Sequence, residues 1–178
     1  DVKFSDNEMN KITVKFRSFE DHITKWKYCG PFYSDNKSAD ELFFVEFEAE
    51  TNPNTVEWKK IDYSTLNESM GMINFEQIFG TNNCAAYLYT KIWMDVVTSC
   101  LFEIGSDDGI KVWLNQKLVH SMNVFRGHTQ GEDVAEVIME KGWNEILVKV
   151  TQGEGGWGAS LVITDLEGNP LKDLKYDF

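Results

Sequence analysis

Apolar and polar residues alternate with a period of two along most of the chain, which is the pattern of half-buried β-strands. In Lys11–Phe16 the alternation places Ile12, Val14 and Phe16 on one face. Helical patterns are short, and only Ser38–Phe44 and Asn74–Phe79 predict a turn of helix. Further strands are predicted at Leu42–Ala49, Ala85–Met94, Cys100–Ile104, Gly109–Leu114, Val134–Met139, Glu145–Val150 and Ala159–Thr164.

Short polar segments separate these strands. Glu140–Gly142 and Asp95–Thr98 are short enough to close hairpins, and Leu114–Lys117 predicts a tight turn because Asn115 tolerates a positive φ. Asp165–Pro170 predicts a loop, and an acidic, loose tail is expected after it. Strands spaced about ten residues apart and joined by tight turns are typical of a sandwich or barrel. We therefore predict an all-β, antiparallel β-sandwich of the jelly-roll kind with about eight to ten strands.

The composition fits one domain over residues 1–178, since 42% of the residues are apolar and suffice for one sizeable core. No apolar run approaches the length of a membrane span. The net charge of −12 argues against nucleic acid and anionic membranes as partners, and leaves a neutral ligand, a cation or a basic partner open. Alternatively, the acidity only keeps the domain soluble. The chain starts with Asp1 and not with Met, so we expect a processed or excised form, in which any export signal would be out of view.

Catalytic and zinc-binding motifs are missing from the sequence. The three cysteines, Cys29, Cys84 and Cys100, cannot all pair with one another and lack zinc-ligand spacing, so structural roles are expected. The three histidines match no metal motif, and no nucleophile signature is present. A pair of acids of the glycosidase type stays open, because acidic residues are plentiful.

Two adjacent carboxylates mark the corner between two predicted strands. Asp107 and Asp108 follow the strand that ends at Ile104, and Gly109 precedes the next strand. Adjacent acids repel each other unless a calcium ion, sugar hydroxyls or backbone N–H groups neutralise them. The alternative is a capped β-turn, because Asp and Gly favour turn positions.

The glycine-rich segment Thr151–Gly158 carries Glu154 and Trp157 between two strands. An exposed aromatic ring on such a loop can stack on the face of a pyranose, while polar neighbours bind the hydroxyls. Alternatively, Trp157 folds back onto the core as a lid.

A third loop, Asn123–Asp133, is long for a hairpin connection and carries Arg126 and His128 as potential hydrogen-bond donors to a ligand. The alternative is a solvated crossover between the two sheets. For Trp93, Trp113 and Trp143, which lie within or next to strands, we expect packing in the core or between the sheets.

The stretch from Ala85 to Ile163 resembles the galactose-binding-like β-sandwich modules found beside bacterial carbohydrate-active enzymes. The similarity lies in AAYLYTKIW, in GSDDGIKVWLNQKLVH and in EKGWNEILVKVTQGEGGWGASLVI. The upstream W-x-x-x-G-P-F of Trp26–Phe32 and the closing Asp165–Leu171 also resemble these modules. This resemblance implies the sandwich fold and does not fix the ligand.

Two groups of such modules share the central hairpin. Val112–Asn115 is similar to the V-W-L-N-G hairpin in the sugar-binding domain of family-two glycoside hydrolases, with Gln116 in place of Gly. The Asp-Asp-Gly corner resembles that of the anthrax protective-antigen-like sugar-binding domains, whose lectin members hold calcium with the paired acids. By this resemblance, Asp107 and Asp108 would be calcium ligands that bridge to sugar hydroxyls.

Taken together, these features predict a non-catalytic module that binds a poly- or oligosaccharide within a secreted or cell-surface carbohydrate-active system. A structural or protein-interaction module that supports an attached catalytic domain is the first alternative, and it would show a buried Trp157 and an exposed apolar patch. A small glycan-processing hydrolase is the second, and it needs two carboxylates about 5–10 Å apart. The predicted ligand-binding residues are Asp107, Asp108, Arg126, His128, Glu154 and Trp157.

Overall fold

The computed structural model describes residues 17–62 and 71–178, and the predicted strand Lys11–Phe16 lies outside these ranges. The helices are short: α1 (Ala39–Leu42), α2 (Glu48–Thr51) and α3 (Phe75–Phe79). The strands are β1 (Lys25–Phe32), β2 (Lys59–Asp62), β3 (Ile73–Asn74), β4 (Cys84–Met94), β5 (Thr98–Asp107), β6 (Ile110–Leu114), β7 (Lys117–Met122), β8 (Asp133–Met139), β9 (Gly142–Gln152), β10 (Gly158–Thr164) and β11 (Lys175–Asp177).

The strands form two antiparallel sheets. The larger sheet has the order β2-β1-β4-β9-β6-β7, with β11 also paired to β4, and the smaller sheet has the order β3-β10-β5-β8. Side chains alternate between the faces, so that on β9 Ile146, Val148 and Val150 point into the core shared by the two sheets. The predicted all-β antiparallel sandwich is confirmed, as are the predicted strands from Ala85 onward.

Several connections differ from the prediction. The segments Asp95–Thr98 and Glu140–Gly142 do not close hairpins, because β4 and β5, and likewise β8 and β9, belong to different sheets. Alternation shows where a strand lies but not which sheet it joins. The predicted turn at Leu114–Lys117 is confirmed: β6 pairs with β7, and Asn115 and Gln116 have φ angles of 49° and 68°.

The apolar run Leu42–Ala49 is not a strand, contrary to the prediction. It belongs to residues 39–58, called the covering segment here, which contain α1 and α2 and pack on the outer face of the larger sheet. Leu42, Phe47 and Ala49 are buried there against Cys29 and Tyr87. The run is apolar because it covers a sheet, while its backbone hydrogen bonds are local turns of helix.

The two predicted helical turns are confirmed as α1 and α3, whereas the tail is not loose, because β11 pairs with the end of β4. Cys29, Cys84 and Cys100 are buried and unpaired. Burial raises the pKa of Cys29 and Cys84 to about 12 and that of Cys100 to about 11, so they act as apolar side chains. Within the described ranges, none of the helices has the length and apolar character to cross a bilayer.

Candidate functional site

Three loops meet at the corner between β5 and β6. The carboxylate of Asp108 is buried and accepts hydrogen bonds from two main-chain N–H groups. Its Oδ1 lies 3.0 Å from the nitrogen of Arg126, and its Oδ2 lies 2.9 Å from the nitrogen of Gly153. One side chain therefore ties together residues 105–109, 123–133 and 151–158, which are called the corner loops below. The loops that the sequence singled out do converge.

The carboxylate of Asp107 is partly exposed in this corner and lies against the glycine-rich loop. A Cβ at Gly156 would lie 2.5 Å from Oδ2 of Asp107, so a larger residue there would displace this carboxylate. Burial raises the pKa of Asp107 to about 6, and the charge of Asp108 adds to the rise. A hydrogen bond from the main chain of His128 acts in the opposite direction. A cation or further hydrogen-bond donors would therefore stabilise the ionised carboxylate of Asp107.

Arg126 and His128 point inward, which corrects the expectation that both offer donors to a ligand. The guanidinium of Arg126 lies 2.5 Å from Asp133 and 2.8 Å from the hydroxyl of Ser106. The Nε2 atom of His128 lies 2.7 Å from the hydroxyl of Ser160. Burial lowers the pKa of His128 to about 4, so its ring is neutral near pH 7. Both side chains brace the crossover between the sheets.

Trp157 is also buried, with 1% of its surface exposed, so the expectation of an open stacking face is wrong. Its ring centroid lies 5.0 Å from that of Phe75 and 5.5 Å from that of Phe79. The two phenylalanines come from α3, whose first residue donates its N–H to the carbonyl of Trp157. The tryptophan is therefore the lid on the core that was the alternative, while Glu154 in the same loop is exposed.

An aromatic side chain that sequence reasoning missed lies in the corner. Phe125 is 72% exposed, and its ring lies so close to Gly153 that a Cβ there would be 3.0 Å from Cε2. The signal was available, because an aromatic residue within the polar loop NVFRGH has few apolar neighbours in sequence to cover it. In the corner loops, Phe125 and Glu154 are thus exposed and Asp107 is partly exposed, as are the polar residues Asn123, Thr129 and Glu132 around them.

The tryptophans Trp93, Trp113 and Trp143 do not pack between the sheets, which corrects the expectation for them. Trp113 is flanked by the inward-facing Val112 and Leu114, so it lies on the outer face of the larger sheet. Trp93 and Trp143 pack edge-to-face with centroids 5.4 Å apart, and Trp143 is 46% exposed. Their outward direction follows from the sequence, because alternate residues along a strand face opposite sides of the sheet.

The corner offers a cation only part of a coordination shell. Among residues 17–62 and 71–178, no group of three or more His, Cys, Asp or Glu side chains is placed to hold a metal ion. Calcium takes six to eight oxygen ligands, and Asp107 with Asp108 would supply two carboxylates. The side chains alone do not complete a calcium site, so main-chain oxygens or water would have to supply the remaining ligands.

No protein-family model matches the chain, and no curated protein matches it significantly. Solved structures do share the fold. Two are anti-sigma factor domain-containing proteins, one from Clostridium clariflavum, with 16% and 13% identity and TM-scores of 0.50. A GH2 β-galacturonidase from Eisenbergiella tayi bound to galacturonate has 12% identity and a TM-score of 0.51.

These similarities cover 86%, 86% and 85% of the chain, and 48%, 47% and 26% of the matched proteins. The chain therefore spans about half the length of the first two proteins and about a quarter of the third. At such low identity the similarity shows the fold alone. The resemblance to family-two glycoside hydrolases is supported at this level, as a β-sandwich that also occurs within such an enzyme.

Proposed function

We propose that the chain is a non-catalytic carbohydrate-binding module and that its ligand sits on the corner loops. This proposal rests on the convergence of the three loops on the carboxylate of Asp108. Because this buried hydrogen-bonded group fixes the loops, the accessible groups above it are held in place before any ligand binds.

The chemistry of the accessible groups suits sugars. The exposed ring of Phe125 offers a flat apolar face, in the role first expected of Trp157. The carboxylates of Asp107 and Glu154 accept hydrogen bonds from hydroxyl groups. The net charge of −12 repels anionic sugars and therefore favours a neutral sugar as the ligand.

We further propose that the corner binds calcium, which can be tested separately from sugar binding. The pKa of Asp107 is raised by burial and by the charges of Asp108, Glu76 and Glu132. A divalent cation at this place would relieve the repulsion and could be coordinated by sugar hydroxyls. The module would act beside an attached catalytic domain in an exported or cell-surface protein.

A glycan array with the whole chain tests this proposal, in calcium and again in EGTA. Phe125→Ala and Asp107→Asn are the informative variants, because both leave in place the carboxylate of Asp108 that holds the loops together. The amide oxygen of Asn can still accept the hydrogen bond from the main chain of His128. We expect each variant to weaken binding at least about ten-fold. Trp143→Ala is the matched control, since it removes an exposed aromatic ring elsewhere and should bind normally. Normal binding by both corner variants would contradict the proposal.

A structural or protein-interaction module is the second candidate, and two observations favour it. Trp157 is buried, and Val134 and Ile138 on β8 are 57% and 59% exposed on the outer face of the smaller sheet. Exposed apolar side chains on a strand, here on either side of Glu136, can contact another protein. Failure of every glycan to bind, together with tight association with an adjoining domain that Ile138→Lys abolishes, would support this candidate instead.

A further inference from the structure

The outer face of the larger sheet is only partly covered, and the uncovered part forms a groove. The covering segment packs over Tyr87 on β4 and Lys149 on β9. Two residues away on the same face, Tyr89 and Leu147 lie beside the end of the segment and line a cavity of about 450 Å³. Small-ligand pockets in proteins have volumes of this order.

The floor of the groove is a row of side chains across three adjacent strands. In the register of the sheet, Tyr89 on β4 is opposite Leu147 on β9, and Leu147 is opposite Trp113 on β6. Their Cα atoms therefore follow one another across the strands, with Tyr89 and Trp113 about 10 Å apart. Two aromatic rings at this spacing on a rigid sheet form a platform for an extended ligand.

A third aromatic side chain forms the wall. Trp58, from the end of the covering segment, lies with its ring centroid 5.7 Å from that of Tyr89, at an angle of 48°. Its indole N–H donates to the carbonyl oxygen of Pro53 at 2.9 Å. The hydrogen bond fixes the indole, so the angle between floor and wall exists in the absence of a ligand.

Polar groups surround the aromatic rings. Glu145 accepts a hydrogen bond from the hydroxyl of Tyr89 and lies 3.1 Å from Lys91. The side chain of Gln116 is exposed at the hairpin turn, and Glu50 also lines the groove. Flat rings with hydrogen-bonding groups at the edge suit a pyranose, whose faces are apolar and whose rim carries hydroxyls. Glu145 and Glu50 are paired with Lys91 and Lys149, so it is the net charge of −12 that disfavours uronic acids and other anions.

We propose that this groove, lined by Trp58, Tyr89 and Trp113, is a second carbohydrate site that binds a neutral oligosaccharide. It lies apart from the corner loops. Along β9, Leu147 in the groove is five residues from Gln152 at the corner, which is about 17 Å in a strand. The inference goes beyond the proposed function, because none of the corner residues contributes to it.

Calorimetric titration of the whole chain tests the groove with neutral β-1,4-linked pentasaccharides of glucose, xylose, mannose and galactose, and with penta-galacturonate as the anionic probe. We expect at least one neutral probe to bind, and Trp113→Ala to weaken that binding at least about ten-fold. Gln116→Gly, which removes a rim group at a position that favours glycine, should weaken it by about three-fold. Trp143→Ala is the control, because it removes a tryptophan of the same face outside the groove and should change binding less than about two-fold.

Corner variants separate the two sites. If the groove binds, Asp107→Asn, Phe125→Ala and EGTA leave the pentasaccharide affinity unchanged. If binding fails in the corner variants and survives in Trp113→Ala, the groove proposal is overturned and the proposed function stands. Binding of no neutral probe overturns the groove proposal, as does tighter binding of penta-galacturonate. The proposed function fails if the glycan array is negative as well, or if both corner variants bind normally on it.

If Trp113→Ala does not fold, NMR spectra of the wild-type protein test the groove instead. In a ¹⁵N-labelled sample, the indole N–H signals of Trp58 and Trp113 should shift on addition of the bound pentasaccharide. The signals of the buried Trp26 and of the exposed Trp143 should stay in place. Shifts confined to residues of the corner loops would overturn the proposal.

Discussion

Lys149 is buried on the outer face of the larger sheet, and its ammonium group joins the sheet to the covering segment. Its Nζ lies 3.0 Å from Oε1 of Glu50 and 3.4 Å from the carbonyl oxygen of Phe43. Burial lowers the pKa of Lys149, and the charge of Glu50 opposes this effect. A buried charge of this kind is tolerated only when it is paired and hydrogen-bonded.

Replacing Lys149 should therefore loosen the covering segment. We expect Lys149→Ala to lower the free energy of unfolding by about 3–5 kcal/mol, because Glu50 and the segment's carbonyl groups lose their buried partner. Urea unfolding at pH 7 measures the loss. Lys91→Ala is the control, since Lys91 pairs with Glu145 nearer the surface and should cost less than about 1 kcal/mol. Equal losses in the two variants would contradict this role for Lys149.

Individual site residues were predictable from the sequence where their role depends on position along the chain. Asp107 is the last residue of β5 and Asp108 lies between it and Gly109, so both lie at the corner as expected. The burial of Trp157 could not be predicted in the same way, because its partners Phe75 and Phe79 are about eighty residues away in sequence. Trp113 was a different case: its outward direction follows from the alternation that buries Val112 and Leu114.

Among the elements, strands were easier to predict than their connections. Alternation located β8 and β9, each of which has one face in the core. Aromatic and β-branched residues located β4, β5 and β6, and an apolar run located β10. The covering segment was mistaken for a strand because Leu42–Ala49 is apolar for packing on a sheet rather than for pairing within one. The links β4–β5 and β8–β9 were mistaken for hairpins, because a short turn can also carry the chain from one sheet to the other.

The β6–β7 hairpin carries a turn residue that is not optimal. Gln116 has a φ of 68°, a region in which side chains other than Gly, Asn and Asp are disfavoured. We expect Gln116→Gly to raise the free energy of unfolding by up to about 1 kcal/mol, because the left-handed conformation costs a non-glycine residue about that much. Gln116→Val should lower it, since a β-branched residue fits this conformation worst. Denaturant unfolding of both variants checks the order, and a less stable glycine variant would refute it.

A fall in pH should lower the stability of the whole molecule by protonating buried histidines, as well as by changing the net charge of −12. His22 is buried beside β10, to which it is bridged at Val162. Its Nδ1 lies 2.9 Å from the carbonyl oxygen of Ser18, whereas its Nε2 is buried and has no hydrogen-bond partner among residues 17–62 and 71–178. Protonation would place a second buried donor and a charge at that position.

Burial lowers the pKa of His22, and the charge of Arg17 acts in the same direction, while hydrogen bonds to main-chain groups of Ser18 and Phe19 and the charge of Asp21 oppose them. His128 is near enough for the charge of His22 to lower its pKa as well, so the two rings resist protonation together. The unfolded chain binds protons below about pH 6.5, whereas folded His22 stays neutral to lower pH. Folding stability is therefore complete above about pH 6.5 and falls as the pH drops through the lowered pKa values.

Urea unfolding of the wild type and of His22→Gln at pH 7.5 and pH 5 measures this effect. At pH 7.5 both side chains are neutral, so the difference reports packing and hydrogen bonding alone. Between pH 7.5 and 5 the wild type should lose up to about 2 kcal/mol more than the variant, because each unit of pKa difference corresponds to about 1.4 kcal/mol. The same difference at both pH values would show that His22 takes up its proton in the folded state as readily as in the unfolded chain, and that acid weakens the sandwich through other groups.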